Sequence, residues 1–208
     1  MRSATTLPKP APTSAAPVHP AWLRAAHWLN ALAVLVMLAS GWRIYNAAPI
    51  WPFRIPSELT LGGWLGGALQ WHFAGMWLLG ANGLLYLALN VGRGRFARKF
   101  LPLSAALVWA DAKAALRGRL THVDPSHYNA LQRTAYLVAV LDLVLLVGSG
   151  LVLWKSVQFP LLREAMGGYE GARRVHFMAM AVLLAFVAAH LTMVALVPRT
   201  LLAMLRGR

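Results

Sequence analysis

Four long apolar stretches alternate with short polar and basic segments along the chain. Each is about 20 residues or longer, which is enough for a helix to cross a bilayer. The clearest lies between Arg174 and Arg199, where 24 consecutive residues carry no charged side chain. The chain is therefore predicted to be an all-α membrane protein, a four-transmembrane-helix bundle. The predicted spans cover residues 22–45, 64–91, 131–154 and 173–197.

The segments outside the spans are expected to be simple. Residues 1–21 contain five prolines, and no apolar run precedes Trp22, so they predict a flexible cytoplasmic tail and not a cleaved signal peptide. Residues 22–208 then form one helical domain. In the 92–132 connection, residues 103–116 predict a short cytoplasmic helix on the membrane surface, with a solvated linker helix as the alternative.

The charge distribution gives the predicted orientation. The chain is 59% hydrophobic and 12% charged, with a net charge of +14. Its basic residues concentrate in the 92–132 connection, a pattern typical of a cytoplasmic loop and not of a nucleic-acid surface. We therefore expect a multi-pass protein of the bacterial inner membrane, with both termini in the cytoplasm.

The absence of cysteine restricts the possible metal chemistry. It excludes disulfides, thiolate-bound iron–sulfur clusters, covalently attached c-type haem and zinc sites of the cysteine type. Histidine and methionine remain as soft ligands. Because ionisable residues inside a span are costly, histidines at membrane depth are the first candidates for a site.

Four histidines form two pairs when they are placed by depth. His176 and His190 are 14 residues apart in the last span, so they lie on nearly the same helix face and about 21 Å apart along the axis. His72 shares the outer level with His176, and His27 shares the inner level with His190. This arrangement predicts two bis-histidine haems stacked across the bilayer, and straight helices exclude one four-histidine site.

Other roles for these side chains remain open at this point. Histidines in spans also bond neighbouring helices or line polar pathways, so a transporter or channel, or a structural anchor without haem, are the alternatives. Asp142 is the one carboxylate well inside a span. It could relay protons, pair with an arginine at the outer haem, or stay neutral and bond a backbone carbonyl. His19 and His122 are expected to be solvated.

Basic residues flank the predicted haem levels. Arg24 lies one turn outside His27, and Arg173 and Arg174 lie one turn outside His176. Haem propionates would emerge there and accept charge-assisted hydrogen bonds. The alternative is that these arginines are ordinary basic flanks of a span. Three glycines that follow His72 would leave room for a flat ring: Gly75, Gly80 and Gly83.

A short internal repeat relates the two halves of the chain. His72-Phe73 opens the second span as His176-Phe177 opens the fourth, and Ser40-Gly41 in the first span resembles Ser149-Gly150 in the third. The repeat predicts that the bundle consists of two related hairpins.

Several segments resemble one family. They are RAAHWLNALAVLVMLASGWRIY, WHFAGMWLLGANGLLY, HYNALQR, GSGLVLW, and VHF with a second histidine 14 residues later. They are similar to the bacterial cytochrome b561 group, the di-haem b-type cytochrome subunits of formate dehydrogenase, nickel–iron hydrogenase and thiosulfate reductase type. The resemblance implies two haem b groups, bound by His27 with His190 and by His72 with His176. It also implies electron transfer between a catalytic partner and the quinone pool of a respiratory chain.

The resemblance further implies a quinone site and a class of partner. Asn129, in Tyr128-Asn129-Ala130, matches an asparagine that contacts the quinone beside the inner haem; the alternative is that Asn129 or Ser126 caps the third span. His127, Gln132 and Arg133 lie near it in sequence. The implied partner is a periplasmic oxidoreductase, of molybdopterin type first and hydrogenase second. Membrane lipid surrounds the bundle, a homodimer is compatible with it, and the direction of electron flow is not encoded.

Overall fold

The computed structural model describes residues 19–92, 104–117 and 130–207, and within these ranges all regular secondary structure is helical. Four helices are long and apolar enough to cross a membrane, which confirms the predicted fold class. These are α1 (Ala21–Ala47), α2 (Leu65–Gly92), α4 (Ala130–Trp154) and α6 (Gly168–Leu196). The shorter elements are a 3₁₀ helix (Ser57–Leu59), α3 (Ala105–Leu116), α5 (Pro160–Ala165) and α7 (Pro198–Arg206). Most of the predicted tail, residues 1–18, lies outside the described residues.

The fourth transmembrane helix starts earlier than the sequence pattern predicts. α6 begins at Gly168, five residues before the expected boundary at 173. Arg173 Nη1 lies 2.9 Å from Glu170 Oε2, and this i, i+3 ion pair lies on the outer turns of the helix. Because hydropathy marks only the apolar part of a helix, the charged first turns were missed.

The four long helices pack as two pairs. The most extensive contacts join α1 to α2 and α4 to α6. Fully or almost fully buried alanines, such as Ala33 and Ala179, lie along the helices, and small residues of this kind let helix backbones approach closely. Aromatic side chains bridge the pairs, with the ring centres of Phe73 and Trp154 5.4 Å apart. The two-hairpin arrangement agrees with the internal repeat.

The outside of the bundle is apolar. Leu35, Leu84 and Leu141 are 62%, 71% and 68% exposed. Leucines exposed to this extent along four long helices would be unfavourable in water, but lipid chains are as apolar as leucine. The exposed leucines therefore support a bundle surrounded by lipid.

The loop that follows α1 is fixed to the end of that helix. Asn46 Nδ2 donates to the Ile55 carbonyl at 2.8 Å, and the Ile55 amide donates to Asn46 Oδ1 at 2.9 Å. The Tyr45 hydroxyl donates to the Phe53 carbonyl at 3.0 Å, and both rings pack on Phe177 of α6. These contacts hold the loop over the His72 and His176 end of the bundle.

The short helix α3 is joined to the start of the third span by one carboxylate. Asp111 Oδ2 accepts hydrogen bonds from the amides of Ala130 at 2.8 Å and Leu131 at 3.4 Å. Asp111 therefore satisfies amides at the start of α4 that have no partner within the helix. Elsewhere on α3, Leu107 and Trp109 are 59% and 64% exposed, on nearly opposite sides of the helix. The membrane-surface location of α3 stays a prediction.

We expect Asp111→Ala to loosen the start of α4. Loss of a capping acceptor typically costs about 0.5–2 kcal/mol, so amide hydrogen exchange at Ala130 and Leu131 should accelerate roughly 2- to 30-fold. Hydrogen exchange read by mass spectrometry checks this. Asp111→Asn keeps a side-chain carbonyl and serves as the control. Equal exchange in Asp111→Ala and the unsubstituted protein would contradict the capping role.

Candidate functional site

Two of the predicted ligands meet at the outer end of the bundle. His72 of α2 and His176 of α6 face each other with ring centres 6.4 Å apart and ring planes inclined by 66°. Both rings are half-buried. The structure therefore brings together the two histidines that depth alone had paired.

Two serines determine which nitrogen of each outer histidine is free. Ser40 Oγ donates to the Val36 carbonyl at 2.6 Å and lies 3.0 Å from His72 Nδ1. Because the shorter contact of the hydroxyl is the one with the Val36 carbonyl, we assign its hydrogen to that carbonyl, which makes Ser40 the acceptor and His72 Nδ1 the protonated donor. The other nitrogen of His72, Nε2, then keeps its lone pair and can bind a metal.

The second outer histidine has the same surroundings. Ser149 Oγ donates to the Leu145 carbonyl at 2.7 Å and lies 2.9 Å from His176 Nδ1. The next residues match as well, since a Cβ added at Gly41 or at Gly150 would lie 3.4 Å from Cε1 of the facing ring. The repeated Ser-Gly pair thus forms two equivalent histidine supports, one on α1 and one on α4.

The inner pair has a different environment. His27 of α1 and His190 of α6 have ring centres 6.1 Å apart and planes inclined by 60°. Phe186 stacks on His190 at 6.2 Å, and the Trp28 ring meets His27 edge-on at 5.3 Å. Aromatic contacts therefore support the inner rings, whereas serine hydroxyls support the outer rings.

The ring spacing suits a metal held between two imidazoles. First-row metals bind imidazole nitrogen at about 2.0 Å, which places the ring centres roughly 6.3 Å apart when one metal lies between them. The observed separations are 6.1 and 6.4 Å. Within the described ranges, no group of three or more histidine, aspartate or glutamate side chains could hold a metal ion. Two protein ligands are sufficient when a porphyrin provides the other four, so the residues present fit haem.

The flanking arginines already have partners in the protein. Arg24 Nη1 donates to the Leu205 carbonyl at 2.8 Å, tying the start of α1 to the end of α7. Arg173 bonds both carboxylate oxygens of Glu170 and the Ala48 carbonyl. Arg174 is exposed. Their proposed contacts with haem propionates stay predictions.

The remaining sequence candidates are the asparagine of the predicted quinone site, the aspartate inside the third span and the glycines that follow His72. Asn129 lies outside the described residues, as do His122, His127 and Tyr128. Asp142 is 8% exposed, and its Oδ2 has no hydrogen-bond partner within the described part of the chain. A Cβ at Gly75 would lie 3.0 Å from the Met37 side chain, so this glycine serves contact between α1 and α2. No atom lies within 4 Å of a Cβ added at Gly80 or Gly83. Because Gly80 is exposed on the outside of the bundle, the expected room for a ring beside these glycines stays a prediction.

Comparison with known proteins identifies the family. Residues 18–207 match the sequence profile of the prokaryotic cytochrome b561 family. The chain belongs to this family. A protein of Azospira oryzae named "Putative protein-methionine-sulfoxide reductase subunit YedZ1" is 64% identical over 190 residues, which are 91% of this chain and 96% of that protein. No solved structure matches the chain significantly.

Membership of the cytochrome b561 family confirms the resemblance seen in the sequence and the coarse function. The chain is an integral membrane subunit that carries haem b and transfers electrons. The sequence did not predict which side chains contact the histidine rings. These are Ser40 and Ser149 at the outer pair and Phe186 at the inner pair. The repeated Ser-Gly pair was the one sequence signal that pointed to these contacts.

Proposed function

We propose that this cytochrome passes electrons through two bis-histidine b haems, between a periplasmic oxidoreductase and the membrane quinone pool. The observation that carries the proposal is the pairing of His72 with His176 and of His27 with His190 at ring separations of 6.4 and 6.1 Å. His176 and His190 are 14 positions apart, which separates the pairs by about 21 Å along α6. Two redox centres at opposite depths give electrons a route across the bilayer.

The protein's own residues define what the sites can do. His72 and His176 would bind the outer haem through Nε2, and His27 and His190 the inner haem. When bound, haem supplies a one-electron iron couple. With two histidines holding each haem, the chain would leave no iron position for a substrate, and catalysis would belong to the partner.

Quinone is proposed to react at the inner end of the bundle, beside Asn129. This residue directly precedes Ala130, the first residue of α4, on the same side as His27 and His190. An asparagine amide can donate a hydrogen bond to a quinone carbonyl, and Gln132 and Arg133 follow within one turn. Support for this assignment comes from the family resemblance of the Tyr128-Asn129-Ala130 segment.

Asn129→Ala is expected to slow haem reduction by a quinol analogue about tenfold, since one hydrogen bond to the head group is worth roughly 1–1.5 kcal/mol. Stopped-flow absorbance at the haem bands measures the rate. Haem content should not change. The matched control is Asn129→Asp, which keeps a helix-capping oxygen but loses the amide donor, so it should be as slow as Asn129→Ala. Normal quinol kinetics in Asn129→Asp would assign the residue to capping instead.

The partner is proposed to dock on the outer face. Two loops there, residues 51–58 and 155–170, present exposed apolar side chains, including Trp51, Phe53 and Leu161. The Azospira relative is named as a putative subunit of a reductase, which supports a reductase partner. The family resemblance of the sequence favours a molybdopterin enzyme before a hydrogenase. With such a partner, electrons would run from quinol outward. The concentration of basic residues in the 92–132 connection supports the proposed location in the bacterial inner membrane, with both termini in the cytoplasm.

A further inference from the structure

Within the described residues, the two histidine pairs have different kinds of neighbour. Both outer rings donate Nδ1–H to a serine, at 3.0 Å for Ser40 and 2.9 Å for Ser149. Both serines are fully buried. The contacts described for the inner rings are aromatic and come from Trp28 and Phe186.

The serine contacts are more than a consequence of placing hydroxyls in helices. Thr134 and Thr192 also donate to carbonyls of their own helices, at 3.0 and 2.8 Å. Within the described residues, neither hydroxyl bonds a histidine. A hydroxyl in these helices is therefore satisfied without a histidine, yet Ser40 and Ser149 both meet one. The same contact occurs on two helices related by the internal repeat, each followed by a glycine against the ring.

A hydrogen bond from Nδ1–H changes the electronic character of the ligand. It makes the imidazole a stronger donor through Nε2. A stronger donor favours the oxidised iron, so the reduction potential falls, as hydrogen bonding around a metal ligand is one of the means by which a protein sets that potential. Two such bonds act on the outer pair and reinforce each other.

We propose that Ser40 and Ser149 are positioning residues that hold the outer histidines as Nε2 ligands and give the outer haem the lower reduction potential of the two. This inference rests on the proposed binding of two bis-histidine haems. The difference in reduction potential between the two haems is then caused by the Ser40 and Ser149 side chains. The Met37 and Leu146 carbonyls lie 3.3 and 3.2 Å from the Ser40 and Ser149 hydroxyls, so an acceptor stays near each histidine when the serine is removed. Loss of one serine should therefore leave the haem bound.

The test is a spectroelectrochemical redox titration of the full-length cytochrome in detergent. In unsubstituted protein, the outer haem should titrate at the lower potential; His190→Ala, which leaves only the outer haem, assigns that wave. Ser40→Ala and Ser149→Ala should each move the outer midpoint to a more positive value, and the double variant should move it further. The inner midpoint should stay constant. The electron paramagnetic resonance signal of the outer haem should change in the same variants.

Thr134→Ala is the matched control, because it removes a span hydroxyl that bonds its own helix and should move neither midpoint. Unchanged midpoints with both haems bound, a negative shift, or an equal shift in Thr134→Ala would overturn the inference. Loss of the outer haem from both single variants would also overturn it, since the serines would then act in structure alone. Unsubstituted protein that binds no haem would refute the proposed function instead, so the two failures are distinguishable.

Discussion

Replacing His176 by alanine is expected to lower the haem content from about two to about one per chain, with the inner haem retained. His176 and His72 face each other at the outer level with ring centres 6.4 Å apart, so the change removes one of two axial ligands there. The inner pair belongs to α1 and to the far end of α6, about 21 Å away. A haem-to-protein ratio and the reduced-minus-oxidised spectrum measure the loss.

His122→Ala provides the control for this experiment. His122 lies in the connection between α3 and α4, and the sequence predicts that it is solvated, so two haems should remain. If His176→Ala lost both haems at once while its helix content was unchanged, the two-level arrangement would be wrong. A shared site, in which all four histidines serve one group, would then be the better description.

Replacing Gly150 by valine is expected to remove the outer haem, although both of its proposed histidine ligands are kept. A Cβ at this position would lie 3.4 Å from His176 Cε1, which is already close contact. The two methyl groups of valine would therefore push the imidazole ring out of line with His72. Haem content should fall from about two to about one per chain, as in His176→Ala.

Gly148→Val, two residues earlier on the same helix, is the control for the cost of valine in a helix. Its Cβ would lie 3.8 Å from the end of the flexible Met166 side chain and away from any histidine ring, so both haems should stay bound. Full haem content in Gly150→Val would show that the glycine contact does not position His176. Equal loss in both variants would show a general effect on α4.

The fold and the pairing of the histidines could be predicted because both follow from distance along single helices. Charged residues mark where a span can begin, and 1.5 Å per residue converts sequence position into depth. The start of α6 was missed because its first turns are polar and are stabilised by an ion pair between Glu170 and Arg173. Hydropathy does not report such turns.

The contacts around the histidine rings depend on how far neighbouring helices are shifted along one another. A single sequence does not contain this information. Ser40 meets His72 only because α1 and α2 run antiparallel at one particular offset. Gly75 shows the same limit, since it follows His72 by one turn but packs on Met37 of the neighbouring helix. The cap from Asp111 to Ala130 joins residues 19 apart across a connection, and no local pattern announces it.

The transporter and anchor alternatives explain less of this arrangement. A polar pathway needs groups that succeed one another along the bundle, but the four histidines meet only in two separate facing pairs. An anchor without haem has no need for a serine that holds His72 or His176 with Nε2 free. Asp142, buried two turns from Ser149 on the same helix, stays a candidate for proton relay.

The most direct test of the account is a pyridine haemochrome assay on the detergent-purified chain, with the haem-to-protein ratio determined. Two b haems per chain are predicted, because two histidine pairs lie at different depths with ring centres 6.1 and 6.4 Å apart. Folded protein, expressed with ample haem supply, that holds one haem or none would contradict the two-haem route across the membrane.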